Sequence, residues 1–108
     1  MKLENEKALI RTIAEGNTKS FEVLFYSYYP RLKGFICDLL QSPEEAEDIS
    51  QDIFTTLWQN RTSLDKIDNI SAYLFRIAKN AVYRHIERNM LFKNYQQKQT
   101  ESLSLIHI

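Results

Sequence analysis

A chain of 108 residues in which 44% of side chains are apolar holds one domain with a single hydrophobic core, or such a domain and a tail. Two glycines and two prolines are too few for a sheet protein built on tight turns, and a lone cysteine, Cys37, excludes an internal disulfide framework and fits a reducing cytoplasmic setting. The formal net charge of zero hides an asymmetry. Residues 1–60 hold six Lys/Arg against ten Asp/Glu, and residues 61–98 hold eight against three, which suits either one basic and one acidic partner or two plain solvated faces.

Four helical segments are predicted in chain order. Leu9, Ile10 and Ile13 recur at helical spacing over about residues 5–15, and Gly16-Asn17-Thr18 ends the pattern. From about Lys19 to Leu40, Phe21, Leu24, Phe25, Tyr28, Leu32, Phe35, Ile36, Leu39 and Leu40 follow three- and four-residue steps, with a kink or break expected at Pro30. The third segment runs from Pro43 to Asn60. Ser42 is its expected cap, Pro43 fits the first helical position, and Glu45 completes a capping box. RTSLDKIDN, 61–69, reads as a flexible polar loop, and the fourth helix spans about Ile70–Asn89. The expected fold is an all-α compact bundle of about four helices over residues 1–90. Residues 91–108 show no sustained stripe and are expected to extend the fourth helix for a turn or two before becoming a linker. No apolar run reaches the roughly 18 residues of a membrane span, and MKLENEKALIRT lacks a signal-peptide core.

Two of these helices carry one wet face each. On the third, Ala46, Ile49, Ile53 and Leu57 form the core stripe with Phe54 at its edge. Glu44, Asp48, Gln51, Asp52, Thr55 and Gln59 make a polar ribbon opposite. Dipole and capping explain Glu44 and Glu45 but not Asp48 and Asp52 further in, and no Lys or Arg at i+4 neutralises these acids. The ribbon is either a plain solvated face or a docking surface for a basic partner. On the fourth helix, Leu74, Ile77, Ala78, Ala81 and His85 share one side; Arg76, Lys79, Asn80, Tyr83 and Glu87 share the other, flanked by Arg84. Cations, amides and tyrosines interleaved in this way suit phosphates, base edges and base stacking.

No catalytic constellation is present in the sequence. His85 and His107 lie far apart, and His85 reads as a half-buried structural imidazole. Cys37 sits among apolar neighbours, and no Gly-rich phosphate loop exists. The acids follow one helix and do not converge as metal ligands, so no enzyme activity, metal or cofactor is expected.

In unbroken order, FEVLFYSYYPRLKGFICDLL, SPEEAEDISQDIFTTLWQN and ISAYLFRIAKNAVYRHIER resemble region 2 of bacterial RNA polymerase sigma factors, most of all the extracytoplasmic-function (ECF) class, over about residues 18–90. The resemblance implies a transcription initiation factor whose third helix docks on the basic clamp helices of the polymerase β′ subunit, with Asp48, Gln51 and Asp52 at the family's contact positions and Thr55 and Gln59 continuing the ribbon. It implies that the Asn60–Asn69 stretch, with Asn60, Arg61, Ser63, Lys66 and Asn69, captures a base flipped from the non-template strand of the promoter −10 element. Tyr73, Arg76, Lys79, Asn80, Tyr83 and Arg84 then fall on the reading helix. An anti-sigma protein is a natural further partner, since it would occlude the same surfaces. Arg84 stands where the family commonly has aspartate and Tyr73 where it often has tryptophan. Beyond the tail the resemblance leads one to expect a linker to a second, helix-turn-helix domain (region 4). The rival readings are a helical protein-interaction module that never touches DNA and, less well supported, a helix-turn-helix repressor, for which no tight glycine turn between short helices is visible.

Overall fold

The computed structural model describes the backbone of residues 6–107 and the side chains of residues 6–91. Every regular element among the described residues is helical: α1 (Glu6–Ala14), α2 (Thr18–Leu40), α3 (Pro43–Gln59), a 3₁₀ segment (Arg61–Lys66) and α4 (Ile70–His107). Helices α2, α3 and α4 pack on one another, and α1 lies against both α2 and the 3₁₀ segment.

Short polar signals set the ends of these helices. Gly16, with φ at +97°, turns the chain out of α1 while its N–H and that of Asn17 bond back to the carbonyls of Ile13 and Thr12. The Asn17 side chain then accepts the Ser20 N–H at 3.1 Å and caps α2. Gln41 closes α2 in the left-handed region, and its side-chain amide donates to the Asp38 carbonyl. One residue later Ser42 Oγ accepts the Glu45 N–H at 3.3 Å, with Pro43 at the first helical position of α3. Only this half of the expected capping box forms, because the Glu45 carboxylate turns instead to His85 on α4, 3.2 Å away.

The core is built on two four-residue rows. Leu24, Tyr28, Leu32 and Ile36 on α2 and Ile70, Leu74, Ala78 and Val82 on α4 are all essentially inaccessible to solvent, joined by Ile10 and Ile13 of α1 and by Ala46, Ile53, Phe54 and Leu57 of α3. Burial of each large member is worth about 1.5–3 kcal/mol, so these rows are the main reason the helices assemble. Tyr28 is the core's polar handle: its hydroxyl donates to Glu6 Oε1 at 3.1 Å and the Arg31 guanidinium lies over its ring. Burial, followed by the negative charge of Glu6, holds the Tyr28 phenol above its ordinary value of 10.0.

The structure corrects four expectations. Of the kink or break expected at Pro30, the break does not occur and α2 runs through; Pro30 and Tyr26, whose carbonyl loses its partner, lie on the exposed side, where water can replace the missing donor. Residues 61–66 form a 3₁₀ helix and not an open loop, because Leu64 is buried and draws the segment onto the core. On α3, Phe54 is a full core residue and Ser50 joins it, while Ile49 is only half-buried. Finally, α4 continues to His107, past the turn or two expected after Asn89; residues 90–107 contain no glycine or proline and are rich in good helix formers.

Candidate functional site

The outer face of α3 presents Glu44, Glu47, Asp48, Gln51, Asp52, Thr55 and Gln59, all exposed. The only hydrogen bond recorded between these side chains runs from Gln51 Nε2 to Glu47 Oε1 at 3.3 Å, and among the described residues no cation pairs with the four acids. At its C-terminal half this ribbon borders a shallow apolar groove. Phe21 and Phe25 of α2 pack there on Phe54 and Trp58, with ring centroids 5.0 Å apart for Phe21–Trp58 and 5.1 Å for Phe25–Phe54, and Gln51, Thr55 and Gln59 form the rim. Charge and apolar surface therefore lie side by side.

On α4 the exposed face carries Arg76, Lys79, Asn80, Tyr83 and Arg84. Here the cations have company. Arg76 lies 5.6 Å from the Tyr73 ring centroid and Lys79 5.7 Å from that of Tyr83. Tyr73 itself is half-buried, and Tyr83 is 52% exposed and available for stacking.

Between these faces the 60–69 segment is tied down by its own polar groups. Asn60 Nδ2 donates to the Thr56 carbonyl, the Ser63 hydroxyl to the Asn60 carbonyl at 2.8 Å, and Asn69 Oδ1 accepts the Ala72 N–H to cap α4. Arg61 lies over the Trp58 ring at 4.4 Å and donates to the Trp58 carbonyl at 3.0 Å. Of the five side chains that sequence reasoning assigned to this stretch, Lys66 is exposed and makes no hydrogen bond or ion pair among the described residues; the other four also hold the segment's shape.

A cleft of about 260 Å³ joins the three parts. Asp52, Thr56 and Asn60 line it from the α3 side, Leu64 closes it, and Tyr73, Arg84, His85 and Arg88 line it from α4. The acidic and basic faces thus meet at one edge. His85 is half-buried, as the sequence suggested, and is held by Glu45 and by Asn89 at 3.2 Å. Arg88 is the charged cleft residue that sequence reading passed over; its signal was its place one turn beyond Arg84 on the same row.

Chemically, the arrangement offers cations, aromatic faces and amides for binding. Among the described residues no group of His, Cys, Asp and Glu gathers as metal ligands, and no helix is long and apolar enough to cross a membrane.

Comparison with known proteins gives the chain a lineage. The family model described as Sigma-70 region 2 matches residues 24–91. RNA polymerase sigma-H factor of Pseudomonas aeruginosa is 23% identical over 83 residues, which cover 77% of this chain and 43% of that protein. ECF RNA polymerase sigma factor RpoE of Cereibacter sphaeroides is 31% identical over 75 residues, covering 68% of this chain and 41% of its own length. The chain therefore spans less than half the length of these curated relatives. No solved structure matches it.

Proposed function

Starting from the fact that this chain belongs to the Sigma-70 region 2 family and is of the ECF kind, we propose that it is the part of a transcription initiation factor that couples RNA polymerase to promoter DNA. Residues 1–90 are the working domain, and residues 91–108 lead away from it. Asp48, Gln51, Asp52, Thr55 and Gln59 form the surface that meets the basic clamp helices of the β′ subunit. Residues 60–69 and the exposed face of α4, with Tyr73, Arg76, Lys79, Asn80, Tyr83 and Arg84, take the non-template strand of the −10 element.

The observation that carries this reading is that the unneutralised acidic face of α3 and the basic face of α4 border one cleft, with Asp52 on one side and Arg84 and Arg88 on the other. A protein held by its acidic side on polymerase presents its basic side to DNA at a fixed distance. Unstacking a base costs a few kcal/mol, so a surface that holds the extruded base favours strand opening by binding alone, without nucleotide hydrolysis. An anti-sigma protein that covered both faces would silence both activities.

The test is binding of the chain to purified polymerase core, followed by binding of the resulting complex to a −10 oligonucleotide. Core binding with DNA capture is the expected result. Core binding without DNA capture would leave an interaction module, and failure to bind core would remove the polymerase assignment.

A further inference from the structure

Among the side chains expected to meet DNA, Arg61 has its guanidinium turned inward. The group stacks on Trp58 at 4.4 Å and Nη1 donates to the Trp58 carbonyl at 3.0 Å. Its Nε is shielded from solvent and has no hydrogen-bond partner within the protein. A Cβ built on Gly16 would lie 3.9 Å from that Nε, so the arginine passes beside the turn between α1 and α2. Gly16 holds φ at +97°, which other residues adopt only with strain. From the first position of the 3₁₀ segment, this planar group thus holds the last turn of α3 and lies beside the turn after α1.

A phosphate ligand keeps its donors in water until DNA arrives; half-buried Arg61 has its Nε shielded and its Nη1 committed to Trp58. Leaving a buried donor unpaired is costly and is tolerated only where the surrounding packing fixes the group. The segment it begins is held at both ends, by Asn60 at the close of α3 and by Asn69 at the cap of α4, with Leu64 buried between them. We propose that Arg61 is a positioning residue: wedged between Trp58 and the Gly16 turn, it fixes the start of the 60–69 segment and does not itself contact DNA. The functional consequence rests on the reading above, in which that segment captures a base. Lysine cannot substitute, because an ammonium lacks the planar face and fixed fork that stack on a ring while bonding a carbonyl.

The experiment compares wild type, Arg61→Lys and Arg61→Gln. Amide hydrogen exchange is followed on the 108-residue chain, and each chain bound to polymerase core is titrated across salt with single-stranded non-template oligonucleotides differing at one base. Both variants are expected to exchange about tenfold faster across residues 60–67 with α2 protection intact, to lose several-fold in base discrimination, and to keep the wild-type salt slope. Two results would overturn the proposal. One is unchanged exchange across 60–67, or a uniform loss of protection along the chain, in both variants. The other is Arg61→Lys binding like wild type while Arg61→Gln lowers the salt slope by about one, the mark of a phosphate contact. If wild type shows no base preference, the base-capture reading fails separately; faster exchange at 60–67 in both variants still upholds the positioning role, and unchanged exchange overturns it.

Discussion

On α3 the exposed acids stand without cationic partners among the described residues, whereas on α4 two cations of the exposed face lie over tyrosine rings. The two faces are built for different work. Bare carboxylates project a field that draws a basic surface from a distance and fades with salt, over a Debye length of about 10 Å at 0.1 M. Cations resting on rings have fewer rotamers to lose on binding, so their arrangement is set before a ligand arrives. In the proposed function, attraction belongs to α3 and shape to α4.

The largest expected effect follows from reversing the bare charges. Asp48→Lys with Asp52→Lys should weaken binding to polymerase core by several kcal/mol at low salt, the order of like-charge contact at an interface. Thermal or urea unfolding of the same variant should move little, because exposed positions contribute within about 0.5 kcal/mol. Unchanged affinity of a folded double variant would remove the docking role of α3.

On the other face, Asn80→Ala should cost about 1–3 kcal/mol for the preferred sequence and flatten preference among bases, while Lys79→Ala should weaken all sequences alike and lower the salt slope by about one. Titrations of polymerase-bound chain against a small oligonucleotide set separate the two. If both variants behave alike, α4 is a general cationic surface and the contrast with α3 is one of sign only.

Much of this contrast was legible in the sequence, and the reasons for the rest are physical. Helical periodicity placed Glu44, Asp48, Gln51, Asp52, Thr55 and Gln59 on one face of α3, and Arg76, Lys79, Asn80 and Tyr83 on one face of α4; all ten are exposed in the structure. It placed Leu74 and Ala78 in the core but passed over Ile70 and Val82, which complete the four-residue row. The 60–69 segment was misread because a single leucine among polar residues gives no periodic signal. Leu64 becomes an anchor only when α1 and α3 supply the surface it fills. For Arg61, position alone gave a DNA cation; its stacking on Trp58, three residues back, and its place beside the Gly16 turn were not read. Ser42 and Asn17 were different. Their capping bonds span three residues, so Ser42 could be recognised locally.

A smaller effect sharpens the comparison by using a cation–ring pair that belongs to the core. Arg31 lies 4.6 Å from the Tyr28 ring centroid, and the Tyr28 hydroxyl donates to Glu6. Tyr28→Phe should cost about 0.5–1.5 kcal/mol of stability and leave core and DNA binding unaltered. It should also change the alkaline limb of stability. The folded state holds the Tyr28 proton more tightly than the unfolded chain, chiefly through burial and then Glu6, so this contribution is complete below 10.0 and falls as pH rises past it. Urea midpoints at about pH 8 and about pH 11 should therefore differ less in Tyr28→Phe than in wild type.

Smaller again, Tyr83→Leu should remove the ring beneath Lys79 at a loss of about 0.5–1 kcal/mol in single-strand affinity, with stability unchanged. Parallel melting and binding curves would show it. Equal loss in folding would place Tyr83 with Tyr28 among the structural pairs.

The most direct test sets single strand against duplex. A cationic face that meets only phosphates prefers duplex, where charge density is higher, and ignores sequence. With polymerase-bound chain, a short single-stranded non-template −10 oligonucleotide should bind more tightly than its duplex, since no unpairing cost remains, and one base should dominate the preference. Duplex winning at every salt concentration, with no base distinguished, would contradict base capture by residues 60–69 and leave α4 as a solvated basic face.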